Sequence, residues 1–389
     1  MLRSERGAVF VQVGISLFVL MAFNVFVLDY GMMWIGRRQA QNAADAGALA
    51  GATARGYDDF GSPPSSTGLA ARSAQMTANA NLVWQTAGAP TVSFSCPAGV
   101  TGRCVTVEVY RDGTNGSTAM PTLFGPILGI STQKVRASAT AVVGNGNATT
   151  CMKPFAIPDE WVDGSHTGHW DPADTFVRYD ASGAVVGTDS YTPPSSGSAS
   201  SINISGHFGD RVTFDVDYPF DTPVSPGFVL PIDLPGGRTY LQDMTSCNGQ
   251  PIQLGQRLPI DTATVGTAVT ETALLAAYNL DPTAEYNYGD SYVINTCAPS
   301  CAAQSPRLFA IPLYDPDEFQ RSRATGNWSA CGGTPCIVVR NITGFFIHRL
   351  SGGGFGRHGH FLKYPGLTAT GAPNFANDAS WLVTMNLVR

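Results

Sequence analysis

Lysine is almost missing from this chain of 389 residues, with Lys134, Lys153 and Lys363 the whole supply. Charged residues make up 13%, about half the roughly 25% of an ordinary soluble domain. The net charge is −6. An acidic surface with so little lysine offers no field to a phosphate backbone, so nucleic acid is not an expected partner. Catalytic signatures are missing as well. No Gly-x-Ser-x-Gly elbow and no His-Glu-x-x-His helix occurs. The glycine-rich run Gly352–His360 lacks the Lys-Ser/Thr pair and the strand-to-helix setting of a phosphate loop. No enzyme, cofactor or metal is therefore expected.

What is present begins with residues 8–28, an apolar run whose only amide side chains are Gln12 and Asn24. At 1.5 Å per residue about 21 residues cover about 31 Å, the thickness of a bilayer hydrocarbon core. A cleaved secretory leader has an apolar region of only about 7–15 residues, so a retained anchor is the expectation. Asp29, Tyr30 and Trp34 sit where the helix would leave lipid. Arg37, Arg38, Gln39 and Gln41 then lead into a tail in which Ala40, Ala44, Gly47, Ala48 and Gly51 recur at three- and four-residue spacing. Small residues so spaced let another helix approach closely.

All eight cysteines follow the apolar run: Cys96, Cys104, Cys151, Cys247, Cys297, Cys301, Cys331 and Cys336. An even set on one side of an anchor points to disulfides in an oxidising space. Loop closure favours the local pairs Cys96–Cys104, Cys297–Cys301 and Cys331–Cys336, leaving Cys151–Cys247, although spacing alone cannot fix connectivity. Arg3 and Arg6 favour a cytoplasmic N-terminus, Arg37 and Arg38 compete, and the cysteines break the tie by placing the long C-terminal part outside the cytoplasm.

Beyond the anchor, the Pro/Gly/Ser stretch 57–65 ends the helix. Residues 66–86 return to helical spacing, with Leu69, Ala70, Ala74, Met76, Leu82 and Val83 mostly on one side. Residues 91–95, 104–110 and 133–143 alternate like half-buried strands. After a turn-rich joint at 144–150, short apolar runs recur at 211–217, 227–232, 292–295, 308–313, 337–340, 344–348 and 381–385, with one helix at 269–278. The expected fold class is α+β: a spanning helix, a small α+β unit and a mostly antiparallel β domain. The expected division is a cytoplasmic stub at 1–7, the anchor with its small-residue extension at 8–56, an α+β unit at 57–150 and a β-rich domain at 151–389.

The order Arg6-Gly7, apolar run, Asp29, Arg37-Arg38, Gln41-Asn-Ala-Ala-Asp45 and Ala48-Leu-Ala-Gly-Ala52 resembles the N-terminus of TadE/TadG-like proteins. These are pseudopilin-like, membrane-anchored components of the Flp (tight adherence) pilus assembly system. Cys151 with Pro154–Asp159 and Trp161, Ser246–Gly249, Asp281–Ala284, Ser305–Arg307 with Ile311–Pro316, and Gly344–Ile347 look like the C-terminal region found with such N-termini. The resemblance implies a structural role at the bacterial inner membrane, with the bulk of the chain in the periplasm. It implies other Flp/Tad assembly proteins, or further copies of the chain, as partners. Members cut by a prepilin peptidase carry Glu five residues after Gly; Gln12 stands there, so an uncut anchor is expected.

The longest TadG proteins add a von Willebrand A domain with an Asp-x-Ser-x-Ser metal site. Here Asp163-Gly-Ser-His-Thr167 follows Glu160-Trp-Val rather than a buried apolar strand, so that module is not expected. Asp159, Asp163, Asp171 and Asp174 are hard oxygen donors that suit calcium, but in a Pro/Gly-rich loop a solvated, turn-capping role is expected. His166, His169, His358 and His360 are ligand types too, with His358-Gly-His360 expected as an exposed turn. The alternative reading built on these residues is an anchored envelope hydrolase or a calcium-dependent binding module.

Overall fold

Proline is missing from residues 6–57, and leucine, alanine and other helix formers dominate there, so nothing interrupts helix propagation. In the computed structural model this stretch is one helix, α1 (Arg6–Tyr57, 52 residues), about 78 Å long at 1.5 Å per residue. The structure describes residues 6–59, 64–164, 171, 173–194, 200–216, 218–289, 292–298, 300, 304–348, 358–373 and 380–388. The chain divides into two compact units, 1–144 with 385–389, and 145–384.

In the first unit α1 pairs with α2 (Leu69–Ala80), and strands Ala89–Ser93, Arg103–Arg111 and Val135–Asn145 form an antiparallel sheet beside them. The final strand, Leu382–Val388, takes the next place in that sheet. Strand alternation buries Val105, Val107 and Val109 on one face. The face of α2 differs from the expected one. Its buried residues are Ala70, Ala71, Ala74 and Ala78, while Leu69 and Met76, like Leu82 beyond its end, are exposed. Close approach to α1 selects the smallest side chains and turns the large ones outward.

The second unit is organised by a sheet in the order Arg211–Thr213, His358–Leu362, Cys336–Ile347, Leu308–Tyr314, Phe155–Pro158, Leu230–Pro231. Neighbours are antiparallel except Leu308–Tyr314 with Phe155–Pro158. The two apolar runs at 337–340 and 344–348 prove to be parts of one central strand, Cys336–Ile347, in which Asn341 and Thr343 are also buried. Phe155 packs edge-on to Phe214 and Phe309, with centroids 5.4 and 5.9 Å apart. Arg307, fully buried, is satisfied by backbone: Nε donates to Ile347 O at 2.9 Å and Nη1 to Asp281 O at 2.9 Å. Its guanidinium lies over the rings of Tyr278 and Phe346. The longest helices of this unit among the described residues are Val269–Leu280 and Pro316–Thr325. The latter starts where the Asp315 carboxylate accepts from Glu318 N and stops at Gly326 in the left-handed conformation.

Candidate functional site

The chemistry of α1 changes along its length. From Val9 to Ile35 large apolar side chains point outward, with Phe10 82% and Phe18 64% exposed. Its best 18-residue window has a mean hydropathy of 2.3, and none of that window is buried by the chain. By length and composition the helix is able to cross a membrane. From Gly36 onward one face is closed. Ala40, Ala44 and Ala48 are 0% exposed, and Gly47 and Gly51 are buried with them.

Those five residues are the small-residue stripe anticipated from spacing, and what lies against two of them is explicit. A Cβ on Gly47 would stand 2.9 Å from both Ala74 O and Ala78 Cβ, and one on Gly51 would stand 2.7 Å from Val105 Cγ1 and 2.9 Å from Ala74 Cβ. The close-packed helix is therefore α2 of the same chain. At these two positions a second helix could not enter without displacing α2. Polar side chains extend the clasp: Trp84 N donates to Gln39 Oε1 at 2.8 Å, and Gln41 Nε2 donates to Ser138 O at 3.2 Å. Burial pushes the Arg55 guanidinium down, while Asp59 opposes it.

Within that exposed apolar stretch, about a turn and a half before Ile35, Asp29 is nearly buried and accepts from Leu123 N at 2.7 Å and Phe124 N at 3.3 Å. This holds a short 3₁₀ turn, Gly125–Leu128, against the helix. Around that turn Leu123, Ile127 and Ile130 are 61%, 70% and 57% exposed.

The acidic residues do not behave as one cluster. Asp159 is fully buried and accepts from Tyr191 Oη at 2.9 Å, Ser201 Oγ at 2.7 Å, Ile202 N at 3.0 Å and Glu160 N at 3.0 Å. It is an internal tie rather than the solvated turn cap or calcium donor considered from sequence. Burial pushes its carboxyl up to about 7 against those four bonds. Asp171 and Asp174 do cap a turn, Asp171 Oδ1 accepting from Ala173 N and Asp174 Oδ2 from Asp171 N. Asp163 is half-buried, and His166 and His169 lie outside the described residues.

His358 and His360 correct a second expectation, since they stand on a strand rather than in an exposed turn. His358 Nδ1 is 2.6 Å from Thr213 Oγ1. His360 is buried, with Nδ1 2.8 Å from Gly209 O and its ring stacked 3.9 Å from that of Tyr286. Burial pushes it down to about 4. Among the described residues no group of three or more His, Cys, Asp or Glu is placed to hold a metal. Cys96–Cys104, Cys151–Cys247 and Cys331–Cys336 are joined as disulfides. Cys301 lies outside the described residues, and with it the expected Cys297–Cys301 pair.

Sequence reasoning missed the alanine face of α2 and the grip of Asp29 on Leu123. The first carries a signal, since Ala70, Ala74 and Ala78 recur every four residues. The second carries none, since its acceptor and donor lie far apart in the chain.

A single α-helix is thus apolar and exposed over one half, long and apolar enough there to cross a membrane, and small-residued and packed on a sheet over the other. Residues 7–54 match the Tad family, Flp pilus-assembly TadE/G-like. No curated protein and no solved structure matches the chain.

Proposed function

We propose that the chain is a membrane-anchored structural component of a Flp (Tad) pilus or a related cell-envelope machine. It is pseudopilin-like, working through helix packing and protein contacts rather than catalysis. The observation that carries this is the two-part α1: lipid-ready over its first half, clasped by α2 and the sheet over its second, in the segment that matches the Tad family. The anchor sits in the bacterial inner membrane, uncut, with its N-terminus in the cytoplasm and the bulk of the chain in the periplasm. The disulfides support that side, because thiols stay reduced in the cytoplasm. Leu123, Ile127 and Ile130 beside Asp29 support a folded part resting at the membrane surface, since exposed apolar side chains are favoured there. Partners are other Flp/Tad assembly proteins or further copies of the chain, reached by surfaces other than the filled stripe.

The test is fractionation of cells carrying the intact gene, with N-terminal sequencing of the membrane-extracted protein and a pilus assay on a deletion strain. A carbonate-resistant membrane protein beginning before residue 8, with pili lost in the deletion strain, is expected. A freely soluble chain beginning beyond residue 52, or normal pili without the protein, would overturn the reading.

A further inference from the structure

The second unit contains a cavity of about 420 Å³ whose wall includes Lys153, the Cys151–Cys247 bridge, Leu308, Phe309 and Tyr364. Its exposed lining is more apolar than polar, and Thr245, Ser246, Gln304, Ser305 and Tyr364 add polar groups to Lys153 along its wall. Lys153 is only 9% exposed. Its ammonium has three N–H groups. Those that are engaged donate to the carbonyls of Met244 and, at 3.4 Å, Asp243. The Phe309 ring, its centroid 5.8 Å from Nζ, faces the same ammonium.

The charge around it is unbalanced. The Asp243 carboxylate, 1% exposed, is the acidic group acting on Lys153, but it is already engaged: Arg238 Nε lies 2.5 Å from its Oδ1, and Asn248 Nδ2 donates to its Oδ2 at 3.1 Å. Two cations thus share one carboxylate beside a cavity. Tyr364 Oη accepts from Gln304 Nε2 at 3.2 Å, which leaves its own proton free to donate. A buried positive excess beside a recess with apolar walls favours an anion with an apolar tail.

We propose that this cavity is a binding site for a small monocarboxylate with an apolar tail, its carboxylate on Lys153 and its tail against Leu308 and Phe309. The site goes beyond the envelope role and stands independently of it. Burial pushes the free Lys153 ammonium down to about 8, with Asp243 opposing and Arg238 assisting, so an arriving carboxylate restores the charged form. Affinity for the anion holds below about pH 8 and falls above it.

The chain has three lysines, so ¹³Cε-lysine labelling of the detergent-solubilised full-length protein reads Lys153 directly. Hexanoate is the probe, with hexanamide as its uncharged match and inorganic phosphate as its tailless one. A saturable shift of the Lys153 resonance and a rise in its pKa are expected with hexanoate, with affinity at least tenfold weaker for hexanamide and for phosphate. Lys153→Met should lose hexanoate binding by tenfold or more. Ser246→Trp, at the exposed rim of the cavity, should block it while leaving Lys153 in place, which keeps the test valid if Lys153→Met fails to fold. Equal binding of hexanamide or phosphate, unchanged binding in Ser246→Trp, or a shift confined to Lys134 or Lys363 would each overturn the proposal.

Discussion

The carboxylate of Asp29 accepts the backbone N–H of Leu123 at 2.7 Å, across 94 positions of sequence. This bond ties α1, near the end of its exposed apolar stretch, to a loop that carries exposed Leu123, Ile127 and Ile130.

Breaking that tie has a definite cost. Asp29→Ala leaves the N–H groups of Leu123 and Phe124 without their charged acceptor, a loss of about 1.5–3 kcal/mol for such bonds. Limited proteolysis of the purified protein should cut within 122–131 faster than in the parent. Equal cutting rates would show that the bond does not restrain the loop.

Close packing at Gly47 makes a second prediction. Gly47→Leu drives a side chain into Ala74 O and Ala78 Cβ, both 2.9 Å from the first added carbon. Overpacking of this kind costs typically 1–3 kcal/mol. Leu49→Ala, on the exposed side of the same helix, should change stability by no more than about 0.5 kcal/mol. Urea midpoints in detergent separate the two; similar shifts would mean that α2 does not grip Gly47.

Asp159 sets a pH dependence whose sign follows from its environment. Its folded pKa of about 7 lies above the roughly 3.9 of an unfolded aspartate. Between those values the folded state keeps a proton that the unfolded chain has lost. Its contribution is complete below about pH 4 and is lost as pH rises through about 7. The parent should therefore gain stability relative to Asp159→Asn as pH falls from 8 to 5. A parent-to-variant difference that stays flat across that range would place the carboxylate as charged throughout.

The disulfides should differ in weight. Cys151–Cys247 closes 96 residues and Cys331–Cys336 only 5. Chain-entropy scaling assigns about 4–5 kcal/mol to the first and about 2 kcal/mol to the second. Paired Cys→Ser variants of each, compared by urea unfolding, should preserve that order, and a reversed order would count against it.

Length and polarity of residues 8–28, together with the Arg37–Ala52 pattern, were enough to show in the sequence a helix long and apolar enough to cross a membrane that continues into a small-residue face, because helix formation and apolar surface are local properties. Even cysteine count and loop closure similarly pointed to Cys96–Cys104, Cys331–Cys336 and Cys151–Cys247. Strands in the sheet surfaced as short alternating runs, but Cys336–Ile347 was split at Asn341–Thr343, since its polar residues are buried only by neighbours on both sides. What tertiary structure alone decided is who meets whom. At Gly47 and Gly51 the small-residue stripe is met by α2 and by the sheet strand Arg103–Arg111 of the same chain. Asp159 became an internal tie because Tyr191, Ser201 and Ile202 arrive from far along the chain. His360 left the expected loop because Gly209 and Tyr286 close over it. A side chain's type states which contacts it tolerates; the groups that surround it come from distant segments, and only folding brings them together.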